Sequence, residues 1–140
     1  MSTVIQAIEV PSLSKVLEEA HVTLSPKEKR LIDYCHKLSS TTWLGFRDER
    51  LVCVWGIMPP SILSTEVYLW LHTTEAIKTT QFLFIRRSQV FVQELLREYS
   101  AIVGHVKVDA PHSKKWLKWL GAKFGNTRNG LTSFRIERDG

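Results

Sequence analysis

Several kinds of side chain in this sequence could carry the chemistry of a functional site. His72 and His105 each lie in a run of apolar and branched residues that reads as a strand. An imidazole gains and loses a proton near neutral pH, which suits it to removing a proton from a substrate. Glu66 opens the same run as His72 and offers a carboxylate for that task. Arg86 and Arg87 stand at the start of a helical pattern, where guanidinium charge and the helix dipole both favour phosphate. Lys114, Lys115 and Lys118 interleave with Trp116 and Trp119. That mixture suits docking to a protein, with Trp119 at the edge of the helix face, or stacking on bases. Tyr68 and Tyr99 have phenols that can act as acids, at positions that suit core packing as well. Each group also has a plainer use, as a hydrogen-bonded sheet histidine, a solvated arginine or a solvated lysine face. His21, His36 and His112 have no companions in sequence that set them apart.

Other chemistries are excluded by what the sequence lacks. Cys35 and Cys53 are set among apolar residues without CxxC or Cys/His spacing, so they read as buried free thiols with no metal between them. There is no Gly-x-Ser-x-Gly elbow, no HExxH and no Walker sequence. At 140 residues, 44% hydrophobic and 24% charged, the chain suits one domain, residues 1–140, around a single core. No run approaches the roughly 20 apolar residues of a membrane span, and MSTVIQAIEV has neither the basic region nor the apolar stretch of a secretory signal. The net charge of +5 admits nucleic acid, an anionic cofactor or an acidic protein face as partner. The excess is C-terminal, with Lys114, Lys115, Lys118, Lys123, Arg128, Arg135 and Arg138 set against Glu137 and Asp139.

The elements that must position these groups follow from periodicity. Met1 to Val10 can supply a first strand. Ser12 can cap a helix whose Leu13, Val16, Leu17 and Ala20 form one stripe, and His21 to Leu24 reads as a brief extended piece. Ser25-Pro26-Lys27-Glu28 is a capping box with proline at the first helical position, followed by Leu31, Ile32, Cys35 and Leu38 on one face. Trp43 to Arg47 and Leu51 to Met58 form a hairpin across Asp48-Glu49-Arg50, which Pro59-Pro60 ends. From Glu66 to His72 the alternation sets Val67, Leu69 and Leu71 against Glu66, Tyr68, Trp70 and His72. Arg86 to Tyr99 reads as a helix and Ala101 to Val108 as a strand. Ser113 to Leu120 reads as a helix anchored by Trp116 and closed by Gly121. Ala122 to Phe124 and Leu131 to Glu137 flank a glycine-rich and asparagine-rich turn.

That order, and most specifically HVKVDAPHSKKWLKWLGAKF from His105 to Phe124, resembles the GNAT superfamily of N-acetyltransferases. The resemblance implies an α+β (α/β/α) fold with a mixed, mostly antiparallel central sheet and helices on both faces. It further implies coenzyme A or acetyl-CoA as cofactor and a cleft where the sheet splays between its fourth and fifth strands. There His72 or His105, or Glu66, would serve as base for an amine. The family's pattern is incomplete here. The stretch TTEAIKTTQFLFIRRS, Thr73 to Ser88, contains no glycine to cradle a pyrophosphate, which leaves Arg86 and Arg87 to hold phosphate by charge. Counting back from Gly121 puts Ala110 where the family has asparagine, and Leu117 where it often has an acid tyrosine.

More narrowly, the segment and the basic C-terminus resemble small GNAT-like proteins of tailed bacteriophages, including an internal virion protein of the short-tailed podophages. On that resemblance the chain is a structural or interaction module of the virion, in the host cytoplasm or the particle. Its partners would be virion or host proteins, bound through Lys114, Lys115, Lys118 and Trp119. The alternative is a coenzyme A-dependent N-acyltransferase with a nonstandard phosphate site.

Overall fold

Ser25 and Glu28 form the reciprocal bonds that their order predicts. Ser25 Oγ accepts from the Glu28 N–H at 3.1 Å and Glu28 Oε1 accepts from the Ser25 N–H at 3.0 Å. The helix they start, α2, runs Pro26–Leu38 in a computed structural model that describes residues 3–58, 63–74, 76 and 81–138, without the side chains of 3, 81–85 and 112. The full order is β1 (Thr3–Ile8), α1 (Leu13–Glu19), α2, β2 (Thr41–Arg47), β3 (Arg50–Met58), β4 (Glu66–Thr73), α3 (Gln81–Glu98), β5 (Ala101–Lys107), α4 (Pro111–Trp119), β6 (Lys123–Arg128) and β7 (Leu131–Glu137). The strands order as β1-β2-β3-β4-β5-β7-β6, mostly antiparallel, with β4 and β5 parallel. The mixed α+β class is therefore as expected. Two compact units divide the chain, Met1–Met58 with Trp70–Thr80, and Pro59–Leu69 with Gln81–Gly140.

In the first unit β3 is buried from Leu51 to Ile57, and α2 packs against it. Gly56 is required by close approach, since a Cβ there would lie 2.5 Å from the indole nitrogen of Trp70. Trp70 lies over that gap and donates Nε1–H to Ser39 Oγ at 2.6 Å. The α1 start departs from expectation. Ser12 occupies the N-cap but its hydroxyl makes no cap bond. Asp33 of α2 takes that role, accepting from the Ser14 N–H at 2.8 Å and the Ser14 hydroxyl at 2.6 Å. His21 to Leu24 is not a strand. His21 (φ 63) and Val22 close α1 through bonds to the Glu18 and Leu17 carbonyls, a Schellman motif with histidine in the left-handed position. On α2 only Ile32 is buried, while Leu31 and Leu38 of the expected apolar face are exposed.

The β2–β3 hairpin turns on Asp48 (φ 48) and Glu49 (φ 70), both left-handed. Glutamate has no side-chain advantage there, and glycine is the residue that such a turn favours. Glu49→Gly is expected to raise stability by about 0.5–1 kcal/mol, the relief of left-handed strain less the entropy glycine adds to the unfolded chain, read by chemical denaturation.

In the second unit Ile102, Val106, Phe134 and Ile136 are buried on one sheet face, together with Val92 and Leu95 of α3 and Leu117 of α4. α3 starts at Gln81, earlier than Arg86, because Phe82-Leu83-Phe84-Ile85 continues the apolar helical run without a breaker. α4 begins at Pro111 and buries Leu117, whereas Trp116 is half-buried and donates Nε1–H to Ser88 Oγ at 2.7 Å. Gly121 (φ 96) closes α4 as expected. β6 continues through Gly125 to Arg128. Only Asn129 (φ 51) and Gly130 (φ 76) make the turn, and Gly125 instead accommodates Ser133 next to a register shift. Pro59-Pro60 lies outside the described residues.

Candidate active site

The face of the second unit's sheet opposite its buried core is built by three strands. The parallel register Glu66↔Ala101 to Tyr68↔Val103 and the antiparallel register Val103↔Arg135 and His105↔Ser133 fix which side chains share it. Alternation then places Glu66, Tyr68, Val103, His105, Ser133 and Arg135 together. Two polar arrangements result. Tyr68 Oη lies 3.0 Å from His105 Nδ1, with ring centroids 5.8 Å apart. Arg135 bonds Glu66 through Nη1 at 2.5 Å and Glu137 through Nε at 2.7 Å. The Glu66 bond foremost, then the Glu137 bond, raises the Arg135 pKa and keeps the guanidinium charged.

The sequence-derived candidates separate accordingly. His105 is exposed and held by a phenol. Glu66 is engaged by Arg135, so its carboxylate oxygen is committed to an ion pair. His72 is partly buried, further along β4 and in the first unit. Tyr68 belongs to the polar side of β4 and not to an apolar stripe. The strict alternation with Glu66 and His72 was the signal for that. Arg135 and Glu137 had no sequence signal, because nothing local says that β7 lies beside β5.

Arg86 and Arg87 are exposed in the second turn of α3. The expectation that they stand at the helix start is corrected by the earlier start at Gln81, whose first turn carries the open N–H groups instead. Of the loop before it, Thr74 donates Oγ1–H to the Leu51 carbonyl at 2.7 Å, while Glu75 and residues 77–80 lie outside the described residues. Ala110 is the N-cap of α4 and supplies no side-chain bond, and Leu117 is buried. On α4, Lys115, Lys118 and Trp119 are exposed and Lys114 is partly buried. Among the described residues no His/Cys/Asp/Glu group could hold a metal ion.

No protein-family model and no curated protein sequence matches the chain. Solved structures match it over nearly all its length. An acetyltransferase from Bacillus subtilis in complex with CoA superposes at a TM-score of 0.70 with 10% identity, covering 98% of this chain and 99% of that one. A GNAT-family protein from Desulfovibrio desulfuricans does so at 0.69 with 10% identity, over 97% and 99%. The ribosomal-protein-S18-alanine N-acetyltransferase of Escherichia coli does so at 0.66 with 12% identity, over 99% and 97%. This chain has the GNAT fold. At such identities the likeness carries the fold alone. In GNAT terms, Tyr68 and His105 occupy the fourth and fifth strands, the pair that runs parallel here.

Proposed function

We propose that the chain is a coenzyme A-dependent N-acyltransferase in which Tyr68 and His105 move the protons. The observation that carries this reading is the 3.0 Å bond between Tyr68 Oη and His105 Nδ1 on an open sheet face. When Nδ1–H donates to the phenol oxygen, Nε2 presents a lone pair and the phenol keeps its own O–H for donation. His105 then takes the amine proton at Nε2, and Tyr68 gives its proton to the departing sulfur. The Nδ1 proton passes to Tyr68, which leaves both groups neutral and the imidazole in its other tautomer.

Acyl-coenzyme A, when bound, would supply the acyl group to the amine and leave as the free thiol. The second unit offers Arg86 and Arg87 for its phosphates, and two exposed guanidiniums match a polyanion in charge. The glycine cradle typical of the family has no counterpart in the sequence Thr73 to Ser88. Titration with coenzyme A and with acetyl-CoA tests the reading. Each is expected to bind, and at about 100 times the dissociation constant to stabilise the fold by roughly 2.7 kcal/mol. The absence of both heat and a thermal shift at millimolar ligand would sink it.

A second reading is favoured by Trp119, which is 51% exposed beside Lys115 and Lys118 on α4. A large exposed ring with two exposed lysines on the same helix would suit an anchor for another protein. On this reading the domain is a GNAT scaffold in a phage particle, with virion or host proteins as partners. Lys115→Glu with Lys118→Glu is then expected to weaken capture of that partner, and equal affinity in the double variant counts against it.

A further inference from the structure

We infer that Lys107 and Arg128 form a subsite for an anionic group carried by the amine acceptor, an inference that rests on the acyltransferase reading above. The register of three strands puts the two cations on the open face that holds His105. Lys107 follows His105 by two residues on β5, and Val106 between them is buried on the other face. Lys107 pairs with Leu131 of β7, and Leu131 pairs with Arg128 of β6. The row Lys107, Leu131, Arg128 therefore lies beside the row His105, Ser133.

The backbone fixes where these side chains start. Asn129 (φ 51) and Gly130 (φ 76) are both left-handed, so the β6–β7 hairpin closes in two residues with Arg128 and Leu131 flanking the turn. The Val108 N–H donates to the Gly130 carbonyl at 2.9 Å, which ties that turn to the end of β5. Lys107 and Arg128 stand about 10 Å apart at Cα, two strand spacings, with exposed Leu131 between them. Two long side chains on either side of that leucine can close on one anion, the guanidinium as a fork and the ammonium as a point charge.

Charge distinguishes the two ends of the face. At one end Arg135 is bonded to both Glu66 and Glu137, so cation and carboxylates there answer one another. At the other end Lys107 and Arg128 are exposed and form no ion pair among the described residues. Asp109, in the turn after β5, is exposed as well and pairs with neither, so positive charge is in excess. A simple alkylammonium ion approaching His105 meets that excess as repulsion. An acceptor that also carries an anion is attracted and oriented by it. With the anion on Lys107 and Arg128, its amine falls at His105, roughly 7 Å away, the rise of two strand residues. The acceptor class is thus an amine bearing a phosphate or a carboxylate at that spacing.

Calorimetry on the full chain with three amines of similar length, aminobutyl phosphate, aminopentanoate and aminobutanol, tests this. At least one of the two anionic amines is expected to bind about tenfold more tightly than aminobutanol. Lys107→Gln and Arg128→Gln should each abolish that preference, whereas Arg97→Gln, which removes an exposed cation of α3, should not. The tighter of the two anionic amines tells phosphate from carboxylate. Three amines bound alike, or a preference that survives both substitutions, overturns the inference. Titration with coenzyme A is read separately. Coenzyme A binding without a preference among the amines removes the subsite and keeps the acyltransferase reading. A preference lost in both variants, without coenzyme A binding, keeps the anion site and removes that reading.

Discussion

His105→Ala is expected to lower acyl transfer to an amine by about 10²–10⁴-fold, the usual contribution of a positioned general base. His105 is exposed, so its removal opens no cavity in the core, and the far-ultraviolet spectrum and melting temperature should stay as in the parent. Binding of coenzyme A should also persist, because the residues assigned to its phosphates are on α3. The loss should therefore appear in kcat and not in cofactor affinity. Tyr68→Phe keeps the ring and deletes the bonded hydroxyl, and a smaller fall, on the order of 10-fold, is expected from losing one partner of the pair. His72→Ala is the necessary comparison. A large loss there with an unaltered rate in His105→Ala would move the base to β4 and leave the Tyr68–His105 bond as a structural contact.

Asp33→Ala is expected to cost about 2–3 kcal/mol of stability, because hydrogen bonds to a charged group are among the stronger ones and the donors left behind include a buried hydroxyl. Ser14 is only 7% exposed, and both its N–H and its hydroxyl end on this one carboxylate. The effect has a pH signature. Burial pushes the Asp33 carboxyl upward, but the Ser14 side chain, the Ser14 and Leu13 N–H groups and the Ser12 hydroxyl together outweigh it and hold the pKa below the ordinary 3.8. A carboxyl depressed in the folded state binds its proton more readily when unfolded. The stabilisation is therefore complete above about pH 4–5 and is lost as pH falls below 3.8 through the folded value. Denaturation curves at pH 7 and pH 3 should show the gap between parent and Asp33→Ala narrowing at the lower pH, and a gap independent of pH would contradict this account.

Local signals carried most of the architecture. Residue order around Ser25, Gly121 and Asn129-Gly130 specified helix starts and turns, since in each case the backbone geometry is decided by one or two neighbouring side chains. Alternation specified β4, and the turn residues before β7 specified that strand. What the sequence hid was most often a partner distant in the chain. Asp33 reaches back 19 residues to Ser14, so α1 is capped by a residue that no capping rule would consult. His36, read as an ordinary residue, ties β2 to the turn after β1. The proposed site was half legible. His105 was a candidate from its type and strand, but Tyr68 became its companion only when the β4–β5 register set the two on one face. Gly125 misled for a different reason, since glycine serves both reversal and close approach, and here it serves the second.

The two thiols give the molecule a built-in clock for its own opening. Cys53 is 1% exposed and burial pushes its pKa up to about 12, so in the folded chain it offers essentially no thiolate to an alkylating reagent. Cys35, partly exposed on α2, is also raised by burial but can be reached. Native protein should thus take up one reporter dye slowly and a second only when β3 is exposed. The rate of that second labelling, followed by mass, measures how often the middle of the first unit's sheet comes apart.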